Sequence, residues 1–293
     1  MANLTEITEK LNEEFRIRSF GKDDSFSRFI PRVYEAIGFD WRKAFEREFG
    51  ELYNGLMLKG ESRVNKIFLA VFPTDRVLER FIAESESGDL LFMHHPLLME
   101  CGDPKGKWGR GFVPIKETYI RQMREKKLSV YTCHIPMDCH NRLGTNTAIA
   151  RMLNAKEWTG TRSRNSYVHF GTIEKTSTDR LLSELKTGFG IPYCDFEGKK
   201  HADIDKIAIV AGCGDVVDWM KEAEDNGIQA YITGEIHCHI DNDYGRRKYD
   251  QMMEFANRTS MSLIGVSHSA SEYLVHKTLM KDWFEQHFPI ETV

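Results

Sequence analysis

Short apolar, β-branched runs alternate with longer stretches of helical periodicity along almost the whole chain, and this alternation constrains the fold more than any other feature. Strand-like runs stand at 66–72 (KIFLAVF), 89–93 (DLLFM), 128–135 (LSVYTCHI), 166–174, 206–212 (KIAIVAG), 230–234 (AYITG) and 262–267 (SLIGVS). Each is bounded by breakers, as strands are. Helical stretches are expected at 25–38, 74–87, 115–127, 145–154, 178–187, 216–226, 249–258 and 271–287, with Thr74, Ser177 and Ser271 where N-caps belong. Strand–helix–strand alternation is the pattern of an α/β fold, with mostly parallel or mixed sheets flanked by helices. The polar, glycine-containing stretch 155–165 is the best seam. It divides the chain into an N-terminal α/β lobe, 1–157, and a C-terminal α/β lobe, 158–293.

With 293 residues the chain can bury a sizeable core. A formal charge of -4, with acidic and basic residues interspersed, argues against a general nucleic-acid or membrane-surface binder. Six cysteines, Cys101, Cys133, Cys139, Cys194, Cys213 and Cys238, include no C-x-x-C pair. A zinc ribbon or disulfide scaffold is therefore not expected, and the thiols read as reduced core groups of a cytoplasmic protein. The start, MANLTEITEKLNEEF, has no apolar signal region. No run approaches the roughly 20 apolar residues that span a bilayer.

In open α/β sheets ligands bind beyond the carboxyl ends of strands. Three such ends carry metal-ligand chemistry. His94-His95-Pro96 follows DLLFM, Asp138 follows LSVYTCHI, and His268 follows SLIGVS with Glu272 four residues on. Alone, a His-His pair is matched by solvated or packed histidines, and His-x-x-x-Glu is common on helix surfaces. Three strand ends carrying such residues together point to metal: imidazole with carboxylate suits zinc, manganese or iron. Two ions needing about three protein ligands each would require one of the two carboxylates, Asp138 or Glu272, to bridge.

Glu235, after AYITG, and His134, at the end of LSVYTCHI, are the candidates for acid–base work or for orienting a ligand; a surface pair, Glu235 with His239, is the plain alternative. His140 is expected to be solvated. Gly212-Cys213-Gly214-Asp215 reads first as a tight turn and second as an anion cradle. The loop 101–114 (CGDPKGKWGRGFVP) is a surface excursion or, with Lys105, Lys107 and Arg110, a lid for a phosphorylated substrate. Tyr167, Trp219, Trp283 and Phe284 read as core.

The segments LLFMHHPLL, HIPMD, ITGEIHCH and GVSHSASE, in this order, with NGLMLKG upstream, resemble the GTP cyclohydrolase I type-2 family, also called the Nif-three-like proteins, over nearly the whole chain. The resemblance implies two interlinked α/β lobes around a metal cleft. It places the family's dinuclear ligands on His94, His95, Asp138, His268 and Glu272, with two divalent ions per chain, zinc, iron or manganese. It also implies a homohexamer. The reading is a metal-dependent hydrolase acting on a nucleotide or phosphorylated small molecule; the alternative is a non-catalytic metal-binding regulatory protein.

Overall fold

The structure, a computed structural model, describes residues 2–101, 107–157 and 166–293. Most of the seam at 155–165, and Gly102, Lys105 and Gly106 of the loop, lie outside the described residues. The chain forms two compact units. Unit 1 holds Met1–Met99, Phe112–His140 and His276–Val293; unit 2 holds Glu100–Gly111 and Asn141–Val275.

Unit 1 is built on a five-stranded mixed sheet. Its members are β1 (Gly55–Leu58), β2 (Lys66–Ala70), β3 (Leu90–Met93), β4 (Ser129–Thr132) and the short edge strand Glu291–Thr292. The order is edge strand, β2, β3, β4, β1. All neighbours run parallel except β1, which is antiparallel to β4. Every residue of β3 and β4 is buried. That explains their unbroken apolar character, since helices cover both faces of a parallel sheet. The core on one face gathers Tyr34, Trp41, Phe49, Leu78, Phe81, Leu91, Met93 and Met123. The helices α1 (Asp75–Glu84) and α2 (Glu117–Glu125) sit where periodicity placed them, α1 capped by Thr74 Oγ1, which accepts from Val77 N.

Unit 2 carries a six-stranded sheet of β5 (Lys156–Glu157), β6 (His169–Thr176), β7 (Asp195–Gly198), β8 (Ile204–Val210), β9 (Ala230–Thr233) and β10 (Ser262–Gly265), in the order β7-β10-β9-β8-β6-β5. The three central strands β10, β9 and β8 are parallel, and the flanking strands are antiparallel. Its core packs Ala208, Val210, Tyr231 and Leu263 against Met220, Met252 and Phe255. Both sheets are mixed and flanked by helices, as the alternation required.

Within the two main sheets, the strands that the sequence did not announce are edge elements: β1, β5, β7 and Glu291–Thr292; two short two-stranded sheets, Ala2–Asn3 with Arg63–Val64 and Leu98–Glu100 with Gly111–Val113, were also unannounced. Each is four residues or shorter. Asp195–Gly198 (DFEG) has no apolar run to read. Helix 271–287 is in fact α-helix His268–Val275, a π-helical turn His276–Met280 and α-helix Lys281–His287. Among the described residues no helix is long and apolar enough to cross a membrane.

Candidate metal-binding sites

In unit 1 the parallel strands deliver the donors. His94 and His95 extend β3, with His94 N donating to Ala70 O at 3.2 Å and His95 N to Val71 O at 2.9 Å. Both rings are buried. His95 stacks on Phe72, centroids 4.4 Å apart, and meets Phe26 edge-on. His94 Nδ1 lies 2.8 Å from the Cys133 carbonyl oxygen. A carbonyl only accepts, so Nδ1 carries the proton and Nε2 presents its lone pair. That Nε2 stands 3.3 Å from Asp138 Oδ1.

Chain direction changes after β4. Strand pairing stops at Thr132, and His134 leads into α3 (Ile135–Asp138), one helical turn with Pro136 in it. His134 is thus not on the strand, as expected, but at a turn. Its backbone N–H donates to Asn54 Oδ1 at 2.7 Å, and its Nδ1 meets Asp23 Oδ2 at 2.8 Å. Its Nε2 is 3.9 Å from Asp138 Oδ2. Asp23 Oδ1 meanwhile accepts from Ser25 N and Phe26 N, capping the helix Phe26–Glu35. Burial alone would raise the Asp23 carboxyl; His134 and those two N–H donors outweigh it and hold it below its ordinary value. Donor atoms of His94, His95 and His134 lie within 4.8 Å of one another.

In unit 2, α4 (His268–Val275) starts three residues earlier than the sequence suggested. Ser267 Oγ accepts from Ala270 N, and Ser267 takes a left-handed backbone at φ 79°. Ser271 is therefore no N-cap. Its hydroxyl donates to His268 O at 2.8 Å and accepts from Gly212 N at 2.9 Å. His268 and Glu272 fall one turn apart on one helix face, His268 Nε2 3.0 Å from Glu272 Oε1. On the other side of the ring, Nδ1 is 3.2 Å from Glu235 Oε1. Burial would favour neutral imidazole, but Glu272 and Glu235 on its two sides raise its pKa well above the ordinary value.

Gly212 makes this packing possible. A Cβ there would lie 2.3 Å from Glu272 Oε1, and the residue has φ +68°. Residues 212–215 form the tight turn rather than an anion cradle. Asp215 turns its carboxylate to Lys248 Nζ at 2.5 Å, and burial pushes its pKa up to about 7 against the pull of that ammonium. Glu235 does not pair with His239, and no helix starts there; His239 packs on Trp108 and Tyr249 instead. His140 is not solvated either: its ring meets Phe15, and Nε2 lies 3.2 Å from Glu14 O. Arg110 is engaged bidentately by Glu100, at 2.6 and 2.8 Å, which removes the fork that a lid would offer a phosphate.

The model of the family described as Duf34/NIF3 (NGG1p interacting factor 3) matches residues 50–292. The chain belongs to the Duf34/NIF3 family. A relative from Archaeoglobus fulgidus, called a GTP cyclohydrolase 1 type 2 homolog, is 29% identical over 192 residues, 62% of this chain and 69% of its own. Two solved structures share the fold: protein ybgI, of unknown function (TM-score 0.66, 18% identity, 100% of this chain and 97% of that one), and TTHA1606 from Thermus thermophilus (TM-score 0.65, 18% identity, 99% and 96%).

The donor chemistry of this Duf34/NIF3 chain fits divalent metal. In unit 1 a lone pair on His94 Nε2 faces the carboxylate of Asp138, two acceptors that a cation reconciles. In unit 2 a histidine is oriented by one carboxylate and aimed at another, the carboxylate–histidine arrangement that metal sites use. Several of these His, Cys, Asp and Glu groupings could hold an ion. Asp23, Asn54 and the thiols of Cys101, Cys213 and Cys238 were not picked out from the sequence. Asp23 sits in Asp-Asp-Ser-Phe, an ordinary N-cap pattern, and only the fold brings its second oxygen to a histidine 111 residues away.

Proposed function

We propose that this protein is a metal-dependent hydrolase acting on a nucleotide or a phosphorylated small molecule, with two divalent ions per chain held by His94, His95, Asp138, His268 and Glu272. The observation that carries the reading is the orientation of two histidines. His94 and His268 each commit Nδ1 to a partner, the Cys133 carbonyl and the Glu235 carboxylate, and direct Nε2 at a carboxylate oxygen. When bound, zinc, iron or manganese ions supply Lewis acidity and an activated water. Glu235 fixes the proton on His268 Nδ1. Asp23 does the same for His134, so that His134 Nε2 can take up a proton and the imidazolium formed is stabilised by the Asp23 carboxylate. A purine nucleotide is the first substrate to test, given the name carried by the Archaeoglobus relative. We also propose a homohexamer, on the family resemblance; light scattering that finds a stable monomer at micromolar concentration would refute it.

The experiment is elemental analysis of the purified chain with turnover assays of the same sample on GTP and on generic phosphoesters. Two ions per chain with hydrolysis of either class, lost in His134→Asn with metal retained, is the expected result. Two ions without turnover on any of these substrates would replace the hydrolase with a metal-binding protein that recognises a partner or small ligand.

A further inference from the structure

Unit 2 contains a cluster of thiols that is no part of the five proposed ligands, gathered around the second oxygen of Glu235. Cys101 Sγ and Cys238 Sγ lie 3.8 Å apart. Donor atoms of Cys101, Cys238 and Glu235 all fall within 4.8 Å of one another. Cys213 Sγ is 3.5 Å from Glu235 Oε2 and 3.5 Å from His268 Nδ1. Cys238 is buried, and the other two thiols are half-buried. Three thiols and a carboxylate, drawn from three separate segments, converge in one place.

The backbone is built to bring them there. Cys101 belongs to the segment Glu100–Gly111, whose far end is fastened to the Cys238 loop: Gly109 N donates to His239 O at 2.7 Å, and Asp241 N donates to Gly109 O at 2.8 Å. Gly109 also presses on the chain at Cys101 itself. A Cβ there would lie 2.0 Å from Glu100 O and 2.8 Å from the carbonyl carbon of Cys101. Only glycine lets one strand of chain bond to residues 239–241 and touch Cys101 at the same time. Cys213 is carried on the turn after β8, and Glu235 N donates to Gly212 O at 3.0 Å, which ties that turn to the loop bearing Glu235 and Cys238. Ordinary core cysteines need no such convergence.

We propose that Cys101, Cys213 and Cys238, with Glu235, form a second metal site of this chain, selective for a thiophilic cation of the zinc class. The spacing suits it. In a tetrahedral zinc site with Zn–S of about 2.3 Å, ligand sulfurs stand about 3.8 Å apart, the separation found between Cys101 and Cys238. Three soft sulfurs and one oxygen discriminate against manganese and magnesium, which prefer oxygen donors. Glu235 would offer Oε2 on the Cys213 side while Oε1 remains on His268. The three thiols are distinct from the proposed dinuclear ligands, which include no sulfur, while Glu235 and Cys213 also adjoin His268 Nδ1, at 3.2 and 3.5 Å.

Two measurements on the full-length protein test it. Zinc-loaded and chelator-treated samples are alkylated at cysteine and mapped by mass spectrometry. Zinc should slow modification of Cys101, Cys213 and Cys238 at least tenfold while leaving Cys194 unchanged; equal rates at the three positions with and without zinc overturn the proposal. Cobalt(II) titration should give sulfur-to-cobalt charge-transfer absorption in the near ultraviolet. The band should vanish in Cys101→Ser/Cys238→Ser and survive in His94→Ala, which alters only the histidine–carboxylate donors. A wild-type chain without the band, or a double variant that keeps it, sinks the site, as does a Cys101–Cys238 disulfide in zinc-replete protein. The alkylation arm uses the unmodified chain, so the test holds even where the double variant fails to fold.

Discussion

The donor sets of the two units reach similar chemistry by different routes. In unit 1 the proposed ligands are two imidazoles, His94 and His95, and one carboxylate, Asp138, with the imidazole of His134 beside them; these rings are aimed by what surrounds them, a carbonyl, an aspartate from a distant cap and the ring of Phe72. In unit 2 one imidazole is clamped between two carboxylates, and the ligand pair is written into the pitch of one helix. The difference shows where negative charge resides. Unit 1 offers neutral nitrogen with a little charge, whereas unit 2 concentrates anionic oxygen and sulfur. Cys238 adds to this, its thiol pushed down to about 3 chiefly by the neighbouring Cys101 and Cys213 thiols.

The largest effect expected from breaking this comparison is on metal content. Asp138→Asn and Glu272→Gln each keep shape and remove the charge that offsets a divalent ion, so each should lose about one ion per chain by elemental analysis. Occupancy near two in both variants would dismiss the ligand set. Next come the orienting carboxylates. Asp23→Asn and Glu235→Gln should each weaken metal binding by roughly 10–100-fold. Only Glu235→Gln should also dim the cobalt–sulfur band, since Asp23 meets His134 and two backbone N–H groups rather than Cys101, Cys213 or Cys238. If Asp23→Asn does so equally, the two sets are not separate.

Stability gives a smaller handle. Ser271→Ala leaves Gly212 N–H buried without its hydroxyl partner, and should lower unfolding free energy by about 1–3 kcal/mol in denaturant titration, with metal affinity falling alongside. A change below the error of the titration would separate the turn from the helix. The smallest expected effect is acid sensitivity of the chelator-treated protein. Asp23 in unit 1 and Glu224 in unit 2 both sit below their ordinary values. For Glu224, too, burial pulls the other way and is outweighed, here by donors from Ser260 and Thr259. A depressed folded pKa contributes stability that is present above the unfolded value, near 4, and lost as pH falls through the folded one. Asp23→Asn and Glu224→Gln should each flatten the fall in stability below pH 4, the buried Asp23 more than the part-exposed Glu224. The reverse order would mean that burial does not set the strength of these contacts.

The sequence carried the central strands and most helices because buried parallel strands must be apolar throughout and covering helices must be amphipathic. Of the five expected ligands, His94 and His95 directly extend β3, whereas Asp138 closes the turn α3 and Glu272 lies one helical turn beyond His268. Edge strands such as Asp195–Gly198 stayed hidden, because they pair through backbone and carry no pattern. The start of α4 was misplaced because Ser267, the residue that caps it, adopts a left-handed backbone that serine rarely takes. Cys101 near Cys238 could not be read at all: their proximity is a property of how the chain returns 137 residues later.

The edge strand Glu291–Thr292 belongs to the sheet of unit 1, where Val293 N donates to Ile67 O and Leu69 N to Val293 O. All of the long unit 2 segment, Asn141–Val275, is encoded between β4 and this strand. During translation the rim of β2 therefore waits, unzipped, while well over a hundred residues emerge from the ribosome. A bare parallel edge is a template for pairing with other nascent chains. Unit 1 cannot close its sheet until the whole of that segment has been made. Newly made chain should therefore depend on chaperone shielding most strongly in that interval.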